Sequence, residues 1–177
     1  MPIGLRVKLQ SDTTAIGELL PRVSDALQDI LRLRVAPRIV AEEWLECDKK
    51  TIEPQTISTK AGMISFKILG EPDVAYLHYF VSAVHELGDK ASPQAGVIVG
   101  SGRRPLDFAL AAAVAAALAR ENNSEVVDDT PYFSDELEQS ADLFIESVRV
   151  KQPFADYRDA GQVFFQGLYG ERRDLLA

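Results

Sequence analysis

The residues best placed to do chemistry in this 177-residue chain are Gly100, Ser101, Gly102, Arg103 and Arg104, followed by Pro105 and an alanine-rich stretch, and then Asp128 and Asp129 further on. Glycines let the backbone approach a phosphate at a helix start, where free amides and the helix dipole favour negative charge. Two arginines would add charge-assisted donors. A strand, a Gly-x-Gly turn, a helix and a second strand ending in an acid follow the order of a dinucleotide site, with Asp128 in the role of the ribose-binding carboxylate. Here, however, Pro105 occupies the third glycine position, and no Gly-Lys-Ser/Thr triplet supplies a P-loop. A looser expectation survives, a small-anion or nucleotide site on Gly100–Arg104, set against a tight turn whose arginines pair with surface acids. Asp128, Asp129 and Tyr132 lie just beyond a predicted strand end. They suit a partner's basic group, a divalent ion, or a turn closed by its own side-chain hydrogen bonds.

Other reactive types are poorly arranged. His78 and His85 are seven residues apart, on one side of a helix but on opposite faces of a strand, and neither geometry makes a pair of ligands. Cys47 is the single cysteine, and the charge of Asp48 raises its thiol pKa, making it a poor nucleophile. Glu42, Glu43, Glu46 and Asp48 read as paired carboxylates for acid–base work or as a solvated acidic face. Ser101 lacks the Gly-x-Ser-x-Gly elbow. The expectation is therefore no catalytic residue, no metal and no cofactor. A net charge of −8 opposes nucleic-acid binding and eases contact with a basic protein, for which Glu42, Glu43 and Tyr132 are candidate surface residues. No uncharged run is longer than that of Phe108–Ala119, which is too short to span a membrane. Met1–Gln10 lacks the layout of a secretory signal, so a cytoplasmic protein is expected.

These residues need a scaffold. Ile3, Leu5, Val7 and Leu9 alternate as in a half-buried strand. Ile16, Leu19, Leu20, Val23, Leu27, Ile30 and Leu31 form a helical stripe, predicting a helix over Thr13–Arg34 capped by Asp12, with Pro21 a kink or the true start. Residues 38–45, 52–59 and 63–69 read as strands turning near Lys60-Ala61-Gly62, and 74–87 as a strand for its aromatic and β-branched content. Val97–Val99 suits a central strand, Pro105–Arg120 a small-residue helix ended by Asn122-Asn123, and Val126-Val127 a brief strand. Ser134 is expected to cap a helix running to Val148. Phe154, Tyr157, Phe164, Phe165 and Tyr169 make residues 152–177 an aromatic C-terminal extension that either closes the core or forms an interface.

The run Leu110-Ala-Ala-Ala-Val-Ala-Ala-Ala-Leu-Ala-Arg-Glu-Asn-Asn-Ser-Glu-Val-Val-Asp-Asp129 resembles a pattern in small uncharacterised bacterial α+β domains, in which an alanine-rich helix leads into a short strand ending in aspartate. Some of those are similar to immunity proteins of bacterial toxin systems. The resemblance covers only the central part of the chain and departs at Asn122-Asn123-Ser124, where such domains often have glycines. It implies an inhibitor-like binding role and no site residues.

The sequence thus predicts one α+β domain over residues 1–177, with a mainly antiparallel sheet of five or six strands and two to three packed helices. Mixed pairing is expected where Val97–Val99 and Val126-Val127 flank a crossover helix. The leading functional expectation is a non-enzymatic cytoplasmic protein-binding domain, an acidic immunity-type inhibitor, with a basic protein or a second copy as partner and neither nucleic acid nor membrane. The competing expectation is a small-anion or nucleotide-binding domain, or an enzyme, using Gly100–Arg104.

Overall fold

A computed structural model describes residues 4–11, 13–45, 48–51, 56–58, 63–72, 75–80, 93–99 and 102–170. The alternation at the start of the chain becomes β1 (Gly4–Lys8), with Leu5 and Val7 buried and Lys8 exposed. A short strand, β2 (Thr13–Ala15), precedes α1 (Ile16–Leu31). The helix therefore starts later than its apolar pattern suggests, because Thr13–Ala15 pairs with a distant strand. Ala15 is the N-cap and makes no side-chain cap bond, and Asp12 lies outside the described residues. Pro21 sits inside α1 without ending it; it is exposed, where water can take the carbonyl left without an amide partner. Of the predicted stripe, Ile16, Leu19, Val23, Leu27, Ile30 and Leu31 are fully buried, and Leu20 at its margin is partly buried.

The chain continues through β3 (Ile39–Leu45), β4 (Asp48–Thr51), β5 (Thr56–Ser58), β6 (Met63–Ile68), β7 (Ala75–Phe80) and β8 (Gln94–Val99). The strand expected at 74–87 is present over Ala75–Phe80; residues 81–87 and the expected turn at 60–62 lie outside the described residues. Then come α2 (Pro105–Glu121), β9 (Glu125–Val127), β10 (Glu138–Ser140), α3 (Ala141–Val148) and α4 (Tyr157–Gly170). The protein is α+β with four helices and antiparallel sheets.

The main sheet has eight strands among the described residues, in the order β10-β9-β1-β8-β7-β6-β3-β4, and β2 pairs with β5 separately. The count exceeds the expected five or six because β4 (Asp-Lys-Lys-Thr) and β10 (Glu-Gln-Ser) have no apolar alternation. They are recognised as strands by their backbone pairing, β4 with β3 and β10 with β9. The mixed pairing expected across α2 is also absent: β1 lies between β8 and β9 and is antiparallel to both, a split βαβ arrangement.

Two further corrections concern the C-terminal third. Ser134 caps no helix; residues 128–137 form a loop, and α3 begins at Ala141, with the Ser140 Oγ accepting the Leu143 amide at 3.5 Å. Ser134 is buried and engaged within the loop, and Leu137, expected in the apolar stripe, is 60% exposed. The aromatic extension contains a regular helix, α4, whose Phe164 and Leu168 are buried. Its aromatics mostly close the core.

Every residue of α2 from Leu106 to Ala119 is buried. The helix lies on β1, β7, β8 and β9 and is flanked by α1, α3 and α4. Alanine on nearly every side lets all these neighbours come close, and it explains why the helix carries no polar face. Pro105 stands at its first turn, as predicted. Its end is a Schellman motif: the Ser124 amide reaches Ala119 O at 2.9 Å and the Asn123 amide Arg120 O at 3.3 Å, with Asn123 at φ 46°. Asparagine tolerates that left-handed conformation better than most residues.

Candidate functional site

β8 and β9 end at the same margin of the sheet, so Arg103 and Arg104 after one and Asp128 and Asp129 after the other are brought to one end of the fold. Gly100 and Ser101 lie outside the described residues. At the start of α2 the chain supplies its own anion. Asp107, only 1% exposed, accepts the Arg104 amide at 3.1 Å through Oδ2 and lies 3.9 Å from the Arg104 Nε. A carboxylate in the first turn is favoured by the helix dipole and does what a bound phosphate would do there. The Arg104 guanidinium also donates to Pro72 O at 2.7 Å, tying down the turn after β6. Gly102 fits closely: a Cβ there would lie 3.3 Å from Arg104 Nε and 3.6 Å from Asp107 Oδ2.

The ground between the two strand ends is taken by aromatic rings. Phe108 of α2 meets Phe133 (centroids 6.1 Å), Phe165 (5.1 Å) and Tyr169 (6.2 Å), and Tyr132 meets Tyr169 at 6.1 Å. Burial, then Tyr132, pushes the Tyr169 phenol pKa up, while the charge of Arg103 acts the other way, so Arg103 and Tyr132 converge on Tyr169. Asp128 is buried at 1% exposure and closes its own loop, its Oδ2 accepting the amides of Phe133 (2.6 Å) and Ser134 (3.1 Å). Asp129 is held by a two-pronged bond from Arg6 of β1. Glu42 on β3 is paired with Lys67 on β6, and the side chain of Glu43 lies outside the described set.

A second polar cluster fastens α4. Glu71 Oε1 accepts the Tyr157 hydroxyl at 2.7 Å and the Arg158 guanidinium. Arg158, then Tyr157, hold the Glu71 carboxyl below its ordinary range, and Glu71 in turn raises Tyr157. Among the described residues no group of three His, Cys, Asp or Glu is placed to hold a metal ion, and no helix is long and apolar enough to cross a membrane.

One charged segment was not singled out although the sequence contains its signal. Residues 121–148 hold nine of the 27 acidic residues and none of the 19 basic ones, leaving 18 acids against 19 bases elsewhere. A block without a single cation was the cue. Folding turns that block into β9, the 128–137 loop, β10 and α3, at one edge of the main sheet. Two large apolar side chains stand exposed there, Leu137 (60%) and Leu143 (63%). The Glu138 carboxyl is raised above its ordinary range, first by a hydrogen bond shared with Glu125 and then by that residue's charge, with burial adding and Lys8 and Arg6 opposing.

A raised carboxyl favours the folded state at acid pH, a contribution lost as pH rises through its folded-state value. Glu138→Gln is accordingly expected to raise stability at neutral pH by about 0.5 kcal/mol, the scale of an exposed like-charge cross-strand pair. It should flatten the pH dependence just above the ordinary carboxylate range. Urea unfolding of both proteins at pH 4 to 8 checks this, and equal slopes would count against it.

Beside the acidic edge, a groove of about 800 Å³ runs between α3 and α4. Its lining includes the apolar Phe133, Val148, Phe164 and Leu168 together with the charged Asp135, Glu136, Arg149 and Lys151. The fold and these surfaces define an α+β domain whose described strand-end crevice is filled by its own side chains and whose acidic block lies at a sheet edge, where Glu121, Asp129, Asp142 and Glu146 are paired with arginines from outside the block. No protein-family model, no curated protein and no solved structure matches the chain.

Proposed function

We propose that the chain is a non-enzymatic, cytoplasmic protein-binding domain of the acidic inhibitor type, engaging a basic protein through the β9–β10–α3 edge. The observation that carries this reading is the segregation of nine acids and no bases into residues 121–148, around exposed Leu137 and Leu143. Exposed leucines amid one sign of charge suit an interface in which apolar contact supplies affinity and charge supplies steering and partner choice. The like-charge pair Glu125–Glu138 is relieved by an incoming Lys or Arg. β10 is an edge strand, so its outer backbone groups are available for pairing, while its short length and Glu138 discourage pairing with a second copy carrying the same charge.

The test compares the wild-type chain with a Glu136→Lys, Glu138→Lys variant as baits in native lysate at low and high salt. The expected result is a basic protein retained by the wild type at low salt, released at high salt, and lost by the variant. Equal retention by both baits, or no basic protein on either, overturns the reading.

A further inference from the structure

We propose that a second surface, at the C-terminal end of α1, binds a phosphoryl group through Arg34 and Arg149, with Arg32 beside them. The hollow there measures about 460 Å³ and is lined by Gln28, Asp29, Arg32, Leu33, Arg34, Arg149 and Pro153. Asp29 is the one carboxylate among these lining residues. In a chain carrying −8 overall, three guanidinium groups around one small hollow are a local reversal of charge.

The walls are built by backbone bonds between segments far apart in sequence. Val150 N donates to Ile30 O at 2.9 Å, Phe154 N to Arg32 O at 3.1 Å and Arg34 N to Phe154 O at 3.4 Å, with Leu33 bridging Phe154 in parallel. This lays residues 150–154 along the end of α1 and puts Arg149 in the lining of the same hollow as Arg32 and Arg34. A helix C-terminus ordinarily presents bare carbonyls, which repel anions. Here they are covered: Leu33 N reaches Gln28 O at 3.0 Å, Arg32 N reaches Asp29 O at 3.3 Å, and Val150 takes Ile30 O. What faces the hollow is therefore donor-rich. Arg32 occupies the left-handed position of this Schellman motif at φ 48°, where glycine is the default, and its guanidinium donates to Lys151 O.

Among the described residues the guanidinium of Arg34 has no partner, and that of Arg149, just past the end of α3, is paired only with the exposed Glu146 in the last turn of that helix, at 3.0 Å. Such an exposed pair is worth little and yields readily to a better acceptor. Planar guanidinium forks lining one hollow suit the oxygens of a phosphoryl group, which can take two parallel N–H bonds from a fork. The phosphoryl group can belong to a small phosphate ester or to a phosphorylated side chain of a partner; the same donors serve both.

The experiment is NMR titration of the whole chain with inorganic pyrophosphate and, separately, with a phosphoserine peptide, at constant ionic strength. Shifts confined to residues 28–34 and 149–153, with a Kd of about 1 mM or tighter for at least one probe, are expected. The Arg34→Gln, Arg149→Gln variant changes two exposed side chains and should fold normally while binding at least about tenfold more weakly, the loss of one strong charged contact. Pyrophosphate binding marks a free phosphate as the source, and binding of the peptide alone marks a phosphorylated partner. Absence of shifts with both probes, shifts centred on Arg103 and Arg104, or unchanged affinity in the variant overturns the proposal. The two tests are distinguishable: the acidic-edge variant changes Glu136 and Glu138, which lie outside both shifted segments, and leaves Glu146, the partner of Arg149, in place.

Discussion

Phe108→Ala is expected to destabilise the protein by about 3–5 kcal/mol, the range for removing a large aromatic from a core. Phe108 is 0% exposed and is the hub of the rings that join α2 to the 132–133 loop and to α4. Removing it leaves Phe133, Phe165 and Tyr169 facing a cavity that the surrounding alanines of α2 are too small to fill. The effect should be uneven. α4 is attached to the rest of the chain through this cluster, through Leu106 against Gly161, and through the Glu71 bonds to Tyr157 and Arg158. Amide exchange in α4 should therefore rise more than in β1 or α1. Phe108→Leu, which keeps much of the volume, should cost less than half as much. Urea unfolding of the three proteins checks the order, and a loss below about 1.5 kcal/mol for the alanine variant would falsify the hub role.

Asp128→Ala should cost about 3 kcal/mol, because it strands two buried amides that now donate to a carboxylate. Oδ2 takes the Phe133 and Ser134 amides, and Ser134 Oγ in turn accepts Gln139 Nε2 and the Glu136 amide at 3.2 Å, so one carboxylate organises the loop that carries the acidic edge. Asp128→Asn retains an oxygen for both amides but introduces an amide group where Oδ1 has no partner among the described residues. It should fall between, at about 1–2 kcal/mol. Exchange rates of the Phe133 and Ser134 amides separate loop opening from global unfolding. If Asp128 instead served a ligand, its removal would leave stability nearly unchanged.

Much of the fold was legible because the signals are local. The stripe of α1 repeats every three or four residues, the alternation of β1 every two, and Pro105 and Asn122-Asn123 mark the ends of α2 by stereochemistry that depends on a few neighbours. The elements that escaped are those whose stability comes from elsewhere. β4, a polar tetrapeptide, and β10, a polar tripeptide, become strands where β3 and β9 offer backbone partners, with no apolar alternation of their own. Ser134 looked like a cap by residue type, yet its hydroxyl is occupied by Gln139 and Glu136, and Ser140 caps the helix instead. The aromatics after Pro153 were recognised as apolar mass, but the helical face they share was diluted by Gly161, Gly167 and exposed Val163.

The candidate site divides in the same way. By itself the sequence determined that glycines and arginines precede α2, that Asp128 and Asp129 follow β9, and that one block of the chain holds acids without bases. Those facts follow from composition and short-range pattern. Only the tertiary structure decided which charges are already matched. Asp129 meets Arg6 from 123 residues away, Glu42 meets Lys67, and Asp107 answers the helix start that the competing reading assigned to a ligand anion. Likewise Arg149 joins Arg32 and Arg34 only because the chain after α3 is hydrogen-bonded along the end of α1. Helical and strand periods are set by neighbours along the chain, whereas the availability of a charge is set by whatever partner folding brings within about 4 Å, and that distance carries no mark in the linear order of residues.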